Sequence, residues 1–136
     1  MEAISIHHIV GLILVSAIIQ WLIGFLWYDV FFKKSWKKLA GIPEDQKMKD
    51  RIFPMITTFI ACLLLSFVLV HVVALAGARL FTSGAKIGVI CWVGFIAPPL
   101  FAQHIFERRR ANLFAINVAY WLIIMAVGGG ILAAFR

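Results

Sequence analysis

The chain has 136 residues, 63% of them apolar and only 14% charged, with a mean hydropathy of +0.99. Soluble domains carry about 45–50% apolar residues, so an ordinary water-soluble globule is excluded and hydrocarbon is the expected solvent. The net charge of +7 is concentrated in two loops, where membrane topology explains it, so no nucleic-acid partner is expected.

Four stretches contain no Asp, Glu, Lys or Arg: Ile9 to Tyr28, Ile52 to Ala78, Ile87 to Phe106 and Ala111 to Phe135. Each can form a helix that crosses a bilayer core, which takes about 20 apolar residues. The reading is all-α: one transmembrane domain over residues 1–136, an integral membrane four-helix bundle with helices at about 8–32, 52–78, 85–106 and 111–135. The first apolar run is too long for a cleaved signal and is preceded by no lysine or arginine, so helix one is expected to stay. So small a bundle buries little interior, and a homo-oligomer in contact with membrane lipid is expected, joined through small-residue faces.

After helix one, Phe32, Trp36 and Leu39 recur at i, i+4 and i+7 with Lys33, Lys34, Lys37 and Lys38 between them. This spacing predicts a short interfacial amphipathic helix whose lysines reach anionic headgroups. Gly41 can end it. Pro43-Glu44-Asp45 reads as a new helix start, and Pro54 as the opening of helix two near the interface. In helix two Thr58, Cys62 and Ser66 recur every four residues, with Ala74 and Ala78 continuing a face that permits close approach. Leu80 to Lys86 is a short turn, and Gly84 and Gly88 form one Gly-x-x-x-Gly pair.

Pro98-Pro99 interrupts helix three and removes the donors for the carbonyls of Gly94 and Phe95. In lipid such groups need partners within the protein. Gly128-Gly129-Gly130 in helix four permits close packing. Cys62 and Cys91 lie at different depths, so no disulfide is expected.

The segment 33–51 holds seven basic residues and Arg108-Arg109-Arg110 three more, against Arg79, Lys86 and Arg136 on the other side. This asymmetry places the loops 33–51 and 107–110 in the cytoplasm and both termini outside, in an inner or cytoplasmic membrane.

Gly24, Trp27-Tyr28, Phe32, Trp36 and Gly41 close the first helix; Trp92, Gly94-Phe95 and Pro98 mark the third; Phe106, Asn117 and Tyr120 follow. With these residues the chain resembles, over nearly its whole length, the small four-helix bacterial membrane proteins grouped as domain of unknown function seventeen-sixty-one. That family often has a proline soon after the Trp-Tyr pair and a glycine after the phenylalanine. Here Asp29-Val30 and Lys33 stand there, so the end of helix one is expected to differ. The resemblance implies the fold and lends no catalytic residue.

Three polar groupings are candidates for chemistry. Counted from the helix ends, Gln20, Trp21, Asn117 and Tyr120 fall at a similar mid-membrane depth, with Trp92 added as an aromatic wall. Gln20, Asn117 or Tyr120 is expected to donate to the carbonyls of Gly94 or Phe95. The plainer alternative is an interhelical clamp worth about 0.6 kcal/mol per bond. At the cytoplasmic rim, Asp29, His104 and Glu107 could hold a metal or move protons. At the outer rim stand His7, His8 and His71. Neither set has a specific metal-ligand spacing, so no metal or cofactor is expected. No deep carboxylate is present, which disfavours proton antiport of the kind small multidrug exporters perform through a glutamate in helix one. Nor is there a Ser-His-Asp set, phosphate loop or Cys-x-x-Cys.

The leading expectation is binding or passage of a small apolar or amphiphilic molecule, lipid included, at the layer of Gln20, Trp21, Trp92, Asn117 and Tyr120. The alternatives are an accessory subunit packed on another membrane protein, and a membrane enzyme at the rim. Reporter fusions after Lys38 and at both ends are expected to place Lys38 in the cytoplasm and the ends outside; the reverse result would overturn this orientation.

Overall fold

The structure, a computed structural model, describes residues 5–43 and 45–136. Every regular element among them is helical. Four helices are long and apolar enough to cross a membrane: a first span Ile6–Phe31, a second Met48–Leu75, a third Phe81–Phe106 and a fourth Ala111–Ala134. Between the first two lies a surface helix, Lys33–Ala40. At about 1.5 Å per residue these spans run roughly 36–42 Å, enough for the hydrocarbon core and part of both interfaces.

Several boundaries differ from those read along the sequence. The second span begins at Met48 rather than at Ile52 or Pro43, so Lys49, Asp50 and Arg51 lie in its first turn. A helix does not stop where lipid stops, and these charged residues sit at the interface. Pro54 therefore stands inside the helix. Glu44, part of the expected helix start, lies outside the described residues. The second span ends at Leu75 because Gly77 adopts φ +71°, with the Ala78 N–H returning to the Val73 carbonyl at 3.0 Å. The third span starts at Phe81, where the Leu80 N–H donates to Ser83 Oγ (3.2 Å) and that hydroxyl donates back to the Leu80 carbonyl (2.8 Å).

Gly41 ends the surface helix with φ +72°, a left-handed conformation open to a residue without Cβ. Lys33, Lys34 and Lys38 are exposed there, but Lys37 is only 4% exposed. Its side chain is buried in a helix that rests on the fourth span and on the C-terminal turn of the first. Three of the four lysines thus reach outward, and the fourth contributes its apolar chain to packing.

The fourth span is the hub and touches the other three. Its register against the first is antiparallel: Tyr28 meets Asn117, Gly24 meets Tyr120 and Gln20 meets Gly128, and His8 donates to the Phe135 carbonyl at 2.7 Å. The third span lies outside the group and is held to the fourth along a glycine edge. A Cβ on Gly88 would collide with the Met125 carbonyl, and one on Gly84 with that of Gly129. In lipid, where apolar faces gain nothing by leaving the solvent, such backbone approach is what holds helices together.

Pro98-Pro99 does not break the third span. A π-turn at Trp92–Ile96 precedes the prolines, the Ala97 N–H reaching the Trp92 carbonyl, and the α-helix Ala97–Phe106 takes both prolines into its first turn. First-turn residues need no intrahelical acceptor for their N–H groups, so proline costs little there. Neither Gly94 nor Phe95 receives a side-chain hydrogen bond from Gln20, Asn117 or Tyr120, whose positions are given below.

The tight glycine edge generates a paired prediction. Gly88→Ala is expected to destabilise the protein by about 1–3 kcal/mol through overpacking. Gly11→Ala, whose Cβ would meet nothing within 4 Å, is expected to be neutral or stabilising by up to about 1 kcal/mol. Unfolding in mixed micelles titrated with dodecyl sulfate measures both, and equal effects would refute the close contact.

Candidate ligand-binding site

The C-terminal end of the first span is a π-turn, Leu26–Phe31, closed by the Phe32 N–H on the Trp27 carbonyl at 3.0 Å. Such turns insert one residue into the helix and swing the neighbouring side chains around its axis. Here three consecutive residues are aimed at two different spans. Trp27 Nε1 donates to the Ile116 carbonyl (3.0 Å) and the Tyr28 hydroxyl to Asn117 Oδ1 (2.8 Å), both on the fourth span. Asp29 turns to the second span and pairs with Arg51 Nη2 at 2.5 Å. The side chains of that ion pair are only partly exposed.

These contacts frame a cavity of about 430 Å³ between the first, second and fourth spans. Clefts of roughly 300–1,000 Å³ with apolar and aromatic walls hold drug-sized ligands. The walls are Trp21, Phe25, Tyr28, Tyr120 and Trp121, with Met55 and Ala61 opposite. Trp36 of the surface helix, with Ile42 and Gln46 of the following turn, borders the charged end, where Asp29 and Arg51 also line it. Trp36 leans on Tyr28 with ring centres 4.9 Å apart, and Tyr120 meets Tyr28 edge-on at 5.2 Å.

Most polar groups along the walls are already satisfied. Trp21 Nε1 donates to the Met55 carbonyl (3.2 Å). Thr57 and Thr58 donate back to Phe53 and Pro54 of their own helix (2.8 and 2.7 Å). The Tyr120 hydroxyl is buried without a hydrogen-bond partner; it lies beside the Cys62 thiol and against Gly24, where a Cβ would stand 2.8 Å from it.

The five residues expected to form one ligand layer divide between four places. Trp21 and Tyr120 line the cavity. Gln20 is fully buried on the outer side of it, its Nε2 donating to Ser16 Oγ and Ser66 Oγ, each at 3.0 Å, while its Oε1 is unpartnered. Gly128 makes room for this amide, since a Cβ there would stand 2.5 Å from Gln20 Nε2. Asn117 stands behind Tyr28, and its Nδ2 donates to His104 Nε2 at 3.3 Å. Trp92 reaches from the third span to the Val118 carbonyl at 3.0 Å. Gln20 and Tyr28 are eight residues apart, about 12 Å along a helix, so Gln20 and Asn117 occupy different depths. Depth counted from helix ends assumes matched straight helices, whereas the glycine contacts set the actual offset.

The rim residues also separate. His104 is buried; its Nδ1 donates to the Leu100 carbonyl at 2.9 Å, which leaves Nε2 free to accept from Asn117. Glu107 is exposed and accepts from Gln103 Nε2 (3.1 Å) and Arg109 Nε (2.6 Å). Those two donors hold its carboxyl below the usual carboxylate range. Asp29 joins neither residue, being paired to Arg51 on the second span. At the end of the bundle that holds the termini, His8 donates to Phe135 while His71 donates to the Phe67 carbonyl of its own helix at 2.7 Å. No three His, Cys, Asp or Glu residues among those described gather where a metal could be held.

Sequence reasoning passed over Tyr28, Arg51, Ser16, Ser66 and Trp121 as site residues. Two signals were available. Ser16 and Gln20 are spaced i, i+4 on one helix face, matched by Ser66 in the small-residue row of the second span. Asp29 and Arg51 carry opposite charge at facing ends of antiparallel helices.

The architecture, four helices long and apolar enough to cross a membrane with a cavity between three of them, is that of a small multi-pass membrane protein. Residues 12–133 match the family described as "Protein of unknown function (DUF1761)", and the chain belongs to that family. No curated protein and no solved structure matches it.

The relay behind the cavity predicts an asymmetry between two substitutions. Tyr28→Phe removes one donor and is expected to cost about 0.6 kcal/mol. Asn117→Ala strands both the Tyr28 hydroxyl and His104 Nε2 and is expected to cost about 1–3 kcal/mol. Dodecyl sulfate unfolding of the two variants would show the reverse order if the relay is not formed.

Proposed function

We propose that this protein binds a small apolar or amphiphilic molecule, lipid included, in the cavity between its first, second and fourth spans. The observation that carries the reading is the form of that cavity: aromatic walls inside the bundle and one ion pair at the charged end. Trp21, Phe25, Tyr120 and Trp121 supply contact area for an apolar body. Asp29 and Arg51 sit where a polar end would come to rest.

Binding is favoured over passage. Beyond Trp21 and Ala61 the path outward meets Ser16, Gln20, Cys62 and Ser66, each at most 1% exposed. The hydrogen bonds among Ser16, Gln20 and Ser66 close the bundle at that level.

The protein is proposed to reside in the cytoplasmic membrane with the lysine-rich segment 33–51 inside, since the two inner loops carry ten of the thirteen basic residues. A homo-oligomer is proposed from the third span. It buries little beyond its glycine edge and turns Ile90, Val93, Phe95 and Phe101 outward, a face on which a second copy would pack.

Native mass spectrometry of protein extracted in mild detergent tests the binding reading. The wild type is expected to retain a bound amphiphile, and Ala61→Phe, which fills the cavity from the second span, to lose it while keeping its helical content and oligomeric state. Equal retention by both proteins would refute the assignment to this cavity.

A further inference from the structure

We infer that the ligand's polar end is zwitterionic, with no net charge: a cationic ammonium group near Asp29 and an anionic phosphate or carboxylate near Arg51. This rests on the cavity being a binding site, as proposed above, and names the class of molecule it selects.

The inference comes from which polar groups at the cavity remain available. In its walls Trp21, Tyr28, Thr57 and Thr58 donate elsewhere and the Tyr120 hydroxyl is sealed from it, while the Trp36 and Trp121 indoles and the Gln46 carboxamide carry no charge. Among the described lining residues only Asp29 and Arg51 are charged. Their contact joins one carboxylate oxygen to one guanidinium nitrogen. The second carboxylate oxygen and the remaining guanidinium N–H groups are left to a ligand. The charged end therefore offers one anionic acceptor and one cationic donor and is neutral overall.

A singly charged ligand fits such a site poorly. An anion facing Arg51 also faces Asp29 a few ångströms away, and a cation facing Asp29 meets Arg51. Like charges juxtaposed in a partly desolvated site are strongly disfavoured, and this repulsion is how a binding site rejects the wrong ligand. A zwitterion satisfies both residues together. The aromatic rings reinforce the orientation: Tyr28 and Trp36, packed at 4.9 Å, stand beside Asp29 in the cavity wall and favour an ammonium group over their faces.

The exposed lysines of the surface helix impose a different preference. Lys33, Lys34 and Lys38 face outward and do not line the cavity. They draw anionic headgroups to the protein's periphery, and salt screens them. Two lipid preferences would then coexist, anionic around the protein and zwitterionic within it.

Three amphiphiles with the same dodecyl chain separate these terms: zwitterionic dodecylphosphocholine, anionic dodecyl sulfate at low mole fraction, and cationic dodecyltrimethylammonium. Each is titrated at high salt into full-length protein in maltoside micelles, with the fluorescence of the cavity tryptophans as readout. The wild type is expected to bind the zwitterion at least about tenfold more tightly than either charged probe, a difference of about 1.4 kcal/mol. Asp29→Asn should move the anion to first place, and Arg51→Gln the cation. The double exchange Asp29→Arg with Arg51→Asp preserves a pair and should restore the zwitterion preference, which covers the case in which a single variant does not fold. A wild type that ranks a charged probe first, or an unchanged ranking in Asp29→Asn, overturns the inference. The cavity reading survives that result if the saturable signal still disappears in Ala61→Phe. If none of the three probes saturates, both readings fall.

Discussion

Hydrocarbon offers a polar group no partner, so donors inside the bundle must be satisfied by the chain itself. One turn of the fourth span, Ile116 to Val118, takes part in four of the resulting hydrogen bonds. It accepts from Trp27 and Tyr28 of the first span and from Trp92 of the third, and Asn117 donates onward to His104. At about 0.6 kcal/mol each on average, four such bonds contribute only a few kcal/mol. Their larger effect is on register. Sliding the first span along the fourth would strand Trp27 and Tyr28 together, and sliding the third would strand Trp92 and Asn117, each at a cost of several kcal/mol.

The glycine contacts act on the same register through shape. Gly24 admits the Tyr120 hydroxyl, Gly128 admits the Gln20 amide, and Gly84 and Gly88 let two backbones touch. Small residues on one helix thus decide where large or polar residues on another can lie. The third span is committed to this backbone contact and stands to one side. The first, second and fourth spans are left to enclose the cavity.

The π-turns connect this packing to the site. At Leu26–Phe31 the inserted residue sends Trp27 and Tyr28 to the fourth span and Asp29 to the second. At Trp92–Ile96 a similar turn makes room for two prolines and still presents the Trp92 indole to Val118. Asp29, which lies in the first of these turns, is one half of the ion pair at the cavity's charged end.

Much of the architecture can be read from residue order alone. Uncharged runs of at least twenty residues can do little else in a cell than form helices in lipid. The loops carrying Lys33 to Arg51 and Arg108 to Arg110 are marked by their charge, and Gly41 marks a helix end because its backbone can turn left-handed. All of these are local properties, decided by a residue and its near neighbours. The site was only partly legible for the opposite reason. Trp21, Asp29 and Tyr120 are visible as unusual residues at their depths, but nothing along the chain says that Asp29 meets Arg51 rather than His104, or that Gln20 turns to two serines while Asn117 backs Tyr28. Those pairings depend on helix offset and rotation. Offset and rotation are settled by glycine contacts and π-turns distributed over all four spans, so only the assembled bundle decides them.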